Sequence, residues 1–265
     1  MRYKRLVRNK YGLAGVIEAL LLIALVAIIL GFIQLYYVPE IMKQKEADHM
    51  DVVENQFSHL KSVVEIQGLT GDAGDTQIAF TPISSPLTLG TNRLPYFVST
   101  GSTGSIQVYD RNRTDSKIVI VDPHNDFSIP PSPGEPACIP LTSVKYEAYN
   151  YYYTPQTYIM EGGGIILTQS GGEIMKVNPA ITVKQLDKLT IYFYLPLFKS
   201  EPGKNGSISG SDDVYIRTSV SNYYATHSDT TNEYIRIYSN YLDAWNQSLN
   251  HTDTGLLRHP LYDNM

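Results

Sequence analysis

The sequence predicts a mainly β protein organised on one long N-terminal helix: a transmembrane and stalk α-helix, then an antiparallel β-sandwich with one late amphipathic helix. Three observations carry this expectation. The stretch 13–33 (LAGVIEALLLIALVAIILGFI) contains a single charge, Glu18, and no other polar side chain. Further on, Met50, Val53, Phe57, Leu60 and Val64 follow one another at spacings of 3, 4, 3 and 4. From Leu69 onward short runs of Val, Ile, Tyr and Thr are separated by clusters of Gly, Pro, Asn, Asp and Ser, the pattern of strands and turns.

The first element is a basic leader, residues 1–12, with Arg2, Lys4, Arg5, Arg8 and Lys10 and no acid. The apolar stretch follows it directly. Its 21 residues span roughly 31 Å as a helix, the thickness of a bilayer's hydrocarbon core. With the interfacial Tyr36 and Tyr37 the membrane segment is 13–37. The one-sided charge places the leader in the cytoplasm and everything beyond about Tyr37 outside. A cleaved signal peptide has a shorter apolar run and a small-residue cleavage site, whereas Gln34 to Pro39 reads QLYYVP, so an anchor is the better description.

Residues 38–67 form the amphipathic stalk helix. Its apolar stripe is backed by charged residues, Pro39 should bend the chain at the outer membrane surface, and Gly68 is a plausible stop. Unbroken, the rod from Leu13 to Gln67 would be roughly 80 Å long. Two heptads interrupted by Asn55 and His59 make a poor coiled coil, so the stripe is expected to lie on the protein's own β domain.

That domain, 68–265, carries candidate strands at 76–81, 96–99, 105–109, 117–121, 143–149, 164–169, 173–177, 181–184, 189–198 and 214–220. Their spacing suits a sandwich, and the absence of a βαβ rhythm argues against a nucleotide-binding α/β fold. Two segments read as loops, the proline-rich 121–139 and the Gly/Ser-rich 199–213. Near the end, Tyr234, Ile237, Tyr238, Tyr241, Leu242, Trp245 and Leu249 share one helical face, which predicts an amphipathic helix over 232–249. Trp245 is expected in the core.

Composition excludes several functions. Without the five leader cations, 16 Lys and Arg face 26 Asp and Glu, so nucleic acid is not an expected partner. Cys138 is the only cysteine, which rules out an internal disulfide and a Cys-based zinc site. No catalytic, cofactor-binding or metal-ligating constellation emerges. Asp122, His124, Asn125 and Asp126 lack the spacing of a calcium loop, and the same holds for Asp72 with Asp75 and Asp212 with Asp213. Glu161-Gly162-Gly163-Gly164 reads as a tight hairpin, because it lacks the Gly-Lys-Ser/Thr and following helix of a phosphate loop. Asn112, Asn205, Asn246 and Asn250 each begin an N-glycosylation sequon and are the glycosylation candidates.

Two resemblances refine this picture. A basic leader ending at Gly12, then Leu13, an apolar helix and Glu18 within its second turn, resembles the N terminus of type IV pilins and pilin-like proteins. The resemblance implies removal of the leader at Gly12 or Leu13 and pairing of Glu18 with a neighbour's freed amine. Glu18 would be sixth after a cut behind Gly12 and fifth after one behind Leu13. In the β domain, Gln156, Tyr158, Glu161, Gly162 and Gly163, with Gln169, Pro179 and a late tryptophan helix, resemble uncharacterised archaeal cell-surface proteins with a single pilin-like anchor.

The function so implied is that of a non-enzymatic, membrane-anchored cell-surface protein, either a filament subunit or a minor envelope component. It would require no cofactor, and its partners would be the membrane and pilin-like subunits, itself included. The alternative is an extracellular module binding carbohydrate or another envelope partner, including envelope glycans, on a membrane stalk. A surface hydrolase ranks third.

Overall fold

The computed structural model describes residues 10–72, 81–94, 97, 99–110, 114–121, 138–185, 189–201, 206–221 and 234–250. Helix α1 (Lys10–Phe32) passes through a π-helical turn, Ile33–Tyr37, into helix α2 (Val38–Asp72) without a break. The π-helical turn stands just before Pro39, which has no amide hydrogen and whose ring crowds the carbonyl four residues back. Widening the preceding turn relieves the crowding, and the Val38 N–H reaches the Ile33 carbonyl, five residues away.

One expectation about α2, its stop at Gly68, is corrected. It runs past Gly68 to Asp72: Thr70 Oγ1 donates to the carbonyls of Ile66 and Gln67, and Gln67 Nε2 donates to the carbonyls of Thr81 and Thr218. Those bonds hold the last turns. As expected, α2 lies on the protein's own domain, and its burial extends to its first turns, where Val38 is 1% exposed and Met42 0%. The folded domain begins immediately where the apolar anchor ends.

The centre of the domain is a six-stranded antiparallel sheet in the order β11-β2-β5-β6-β7-β8. Its strands are β2 (Thr103–Tyr109), β5 (Ser143–Tyr149), β6 (Thr157–Glu161), β7 (Gly164–Gln169), β8 (Gly172–Val177) and β11 (Ser207–Gly210). Side chains alternate between its two faces. On the first face, Tyr146, Tyr158, Met160 and Leu167 pack against Met50, Val53, Phe57 and Leu60 of α2. The Phe57 ring lies 5.8 Å from that of Tyr158 and 6.4 Å from that of Tyr146. The stripe read from the sequence is therefore a buried seam with the protein's own sheet. Beside α2 lies the ribbon of β1 (Ile83–Thr88) and β12 (Asp213–Thr218), which adds Leu87, Val214 and Ile216.

On the opposite face, Ile159 and Ile166 pack against Leu141, Ile118, Ala244 and Trp245. Further layers are a sheet of β3 (Lys117–Val121), β4 (Cys138–Pro140) and β13 (Tyr234–Tyr238), the pair β9 (Ile181–Gln185) and β10 (Leu189–Phe193), and helix α3 (Leu242–Leu249). The mainly β, antiparallel architecture with one late helix is thus as the sequence predicts.

Several strand boundaries differ. The late helix is only α3, since Tyr234–Tyr238 pairs with β3 as β13. Its Tyr-Ile-Arg-Ile-Tyr alternation satisfies a strand as well as a helical face, and the sheet partner decides. Ser207–Gly210 is strand rather than loop, because its backbone pairs with β2. The strands β1, β4 and β6 were not anticipated, while 97 and 99 are not strand and 194–198 continues no strand beyond Phe193. Prolines disguised β1 and β4; both accept Pro at places where the missing amide is tolerated. The candidate strand 76–81 lies outside the described residues except for Thr81, a bend, and the loop 121–139 lies outside them at 122–137.

Candidate functional site

The first candidate site is the anchor surface. Along α1 and the π turn, large apolar side chains point outward and are largely exposed among the described residues, Ile28 at 69% and Leu35 at 72%. No water-soluble domain leaves so long an apolar cylinder uncovered. It is the one helix among the described residues long and apolar enough to cross a membrane. Glu18 is exposed on it, about 9 Å along the axis from Gly12. Gly12 and Leu13 belong to the first turns of α1; their side chains lie outside the described residues.

The second is the seam that joins anchor to domain, which a row of polar groups on α2 holds in register. Glu46 is fully buried, and its carboxylate accepts the backbone N–H groups of Tyr151, Tyr152 and Tyr153 at 3.0, 2.7 and 2.6 Å. Three successive amides thereby form a nest around one side chain. One turn on, His49 Nε2 lies 3.0 Å from the Thr88 carbonyl, while Nδ1 is buried without a partner. Burial lowers the His49 pKa, against opposing contributions from the Thr88 hydrogen bond, Glu46 and Asp213. Glu54 takes the Tyr158 hydroxyl at 3.0 Å and Lys176 Nζ at 3.0 Å, and Gln56 bonds both the amide and the hydroxyl of Thr88. Burial, then the Glu54 charge, pushes the Tyr158 pKa up, so its hydroxyl remains a donor.

The third is a buried carboxylate on the far face. Glu161 is 1% exposed; Ser239 Oγ and Trp245 Nε1 both donate to its Oε1, the latter at 3.0 Å, and Ser116 adds a third hydrogen bond. Burial raises its pKa despite these donors. Directly after it, Gly162 (φ 58°) and Gly163 (φ 81°) make the two-residue hairpin between β6 and β7. A Cβ on Gly162 would lie 2.9 Å from the indole ring of Trp245. The Glu-Gly-Gly segment and the late tryptophan are thus one clasp. The indole covers the turn and its N–H reaches back to the carboxylate.

The hairpin is present, and its glycines are packed rather than open to a phosphate: Gly162 lies beneath the indole, Gly163 against Pro196 and the Tyr194 carbonyl, and Gly164 against Met175. Glu173 Oε1 already accepts the Asp243 and Ala244 amides at the start of α3, at 2.8 and 3.4 Å. Among the described residues no group of three or more His, Cys, Asp or Glu is placed to hold a metal ion. The cluster Asp122, His124, Asn125 and Asp126 lies outside them, as do Asn112, Asn205 and the Cys138 side chain. Asn246 is half-buried on α3, and the Ser248 of its sequon is 2% exposed. Asn250 is exposed, while the rest of its sequon lies outside the described residues.

Glu46 and Glu54 escaped sequence reasoning, although Glu46 falls on the apolar face of α2, four residues after Met42 and four before Met50. A carboxylate inside an apolar stripe was the available signal. Comparison with protein families, with curated proteins and with solved structures finds no match for this chain.

Proposed function

We propose that the protein is a non-enzymatic, membrane-anchored cell-surface protein of type IV pilin-like architecture, a filament subunit or minor envelope component. Its leader is cytoplasmic and its β domain extracellular. The observation that carries this reading is one unbroken helix whose front half is bare and apolar while its rear half is the spine of the protein's own sheet. A helix so divided can sit in a bilayer, or in a bundle of like helices, without disturbing the domain it carries. The buried carboxylates support a structural rather than catalytic assignment, since Glu46 is engaged by three amides and Glu161 by an indole and hydroxyls.

Glu18 is the residue on which assembly turns. Without the Glu18 carboxylate, the neighbour's freed amine is left as an unpaired charge in a low-dielectric bundle, at a cost of about 3 to 5 kcal/mol per contact. Glu18→Ala should therefore abolish cross-linked oligomers in native membranes and leave membrane insertion intact, because removing the charge eases insertion. Oligomers undiminished by Glu18→Ala would refute the assembly role. Protease added to intact cells should degrade the β domain and spare the leader; a protected β domain would refute the orientation, which rests on the leader's charge.

A further inference from the structure

Among the described residues, the part of the sheet's outer face around the end of β5 is open. Along β5, exposure on this face rises from buried Ser143 through half-buried Lys145 and Glu147 to Tyr149, which is 50% exposed. The register sets Ser105 of β2 opposite Glu147, and Ser209 of β11 opposite Ser105. These groups are already connected. Tyr149 donates its hydroxyl to Glu147 Oε2 at 3.1 Å, Ser105 Oγ lies 3.2 Å from the Tyr149 hydroxyl, and Lys145 Nζ meets Glu147 Oε1 at 2.6 Å. The same ammonium stands 6.0 Å from the centre of the Tyr109 ring.

We propose that this face is a binding surface for a neutral polysaccharide chain. A sugar ring presents adjacent hydroxyls, each both donor and acceptor, together with an apolar C–H face. The complementary protein surface offers a carboxylate and an ammonium side by side, hydroxyls, and an aromatic ring. The carboxylate has about four acceptor positions and the ammonium three donors, so both retain capacity beyond their mutual bond. Tyr149 supplies an amphipathic ring in the open. Strands hold all of them, which limits the ordering a ligand must pay for.

Charge selects among ligands. Lys145 and Glu147 neutralise each other, and each holds the other ionised: the Lys145 hydrogen bond lowers the Glu147 pKa, while burial pulls Lys145 down and Glu147 raises it to a net upward shift. The patch therefore offers no net positive field to draw an acidic polymer. Its side chains are polar or amphipathic, since Ile208 of β11 pairs with Ile106 and points to the other face. A flat, rigid, hydroxyl-rich and neutral face fits a neutral glycan.

The test is affinity electrophoresis of the full chain in a mild non-ionic detergent, through gels carrying dextran, galactomannan or hydroxyethylcellulose, with alginate as the acidic comparison. At least one neutral polymer should retard the protein. Tyr149→Ala and Glu147→Gln should each weaken that retardation at least tenfold, while Tyr215→Ala, an exposed tyrosine on β12, should leave it unchanged. Melting curves of all variants confirm that each is folded, and Tyr149→Phe retains the ring if Tyr149→Ala proves unstable. Absence of retardation by every neutral polymer, retardation by alginate alone, or binding indifferent to folded variants at residues 147 and 149 would overturn the proposal.

Discussion

Replacing the fully buried Glu46 by alanine removes the acceptor of three part-buried amides without touching the apolar seam around it. Each amide left without a partner costs about 1 to 3 kcal/mol, so the three together set a range of about 3 to 9 kcal/mol. Water entering the vacated space recovers part of this, and an effect of about 3 to 5 kcal/mol is expected. For a domain of this size each kcal/mol moves the melting temperature by about 2 to 4 °C, which predicts a drop of roughly 6 to 20 °C. Glu46→Gln should fall between: its carbonyl oxygen can serve Tyr152 and Tyr153, while its NH2 group faces the Tyr151 amide. Circular dichroism melts of the full chain in detergent measure the order, with Asp48→Ala, exposed two residues along, as the control. Amide exchange at Tyr151, Tyr152 and Tyr153 should accelerate in the same order. A Glu46→Ala protein melting within about 2 °C of the parent would refute the nest as the lock between helix and sheet.

Trp245→Ala should destabilise the domain by about 3 to 5 kcal/mol, since it empties the space over Gly162 and strips Glu161 of a donor; an unchanged melting temperature would show that the indole carries no packing role. Trp245→Phe keeps an aromatic ring but loses the N–H and the indole atoms over Gly162, and should cost less than Trp245→Ala, read in the same melts. Stability should also depend on pH in two opposed ways. His49 has a folded pKa below its ordinary 6.5, so its contribution is present above 6.5 and is lost as pH falls toward the folded value. Glu161 has a folded pKa above its ordinary 4.5, so its contribution is full below 4.5 and is lost as pH rises through the folded value. His49→Gln should accordingly flatten the acid-side fall in melting temperature between pH 7 and 5, and an unaltered slope would contradict that assignment.

Periodicity made the largest features legible. The uniform apolarity of 13–33 marks a helix long and apolar enough to cross a membrane, and the 3-4 spacing from Met50 to Val64 can bury only one face. Strands with clear alternation and no proline, such as Lys117–Val121, Ser143–Tyr149 and Gly164–Gln169, were read to the residue. What stayed hidden depends on partners distant in sequence. Tyr234–Tyr238 suits either period until β3 pairs with it, and Ser207–Gly210 has no apolar signal because its place is decided by backbone bonds to β2. The Glu46 nest joins residues 105 to 107 positions apart, and the Glu161 clasp joins Trp245 across 84. No local pattern encodes such a bond. Trp245 was nevertheless placed correctly in the core from its aromatic neighbourhood, although part of that neighbourhood is strand.

Mass spectrometry of the N-terminal peptide from native membranes bears most directly on the account of a processed, pilin-like anchor. The account predicts that most molecules begin at Leu13 or Ala14, with the five basic residues of the leader gone and Glu18 fifth or sixth from the new amino terminus. Recovery of an intact Met1 to Lys10 segment on most molecules would contradict it.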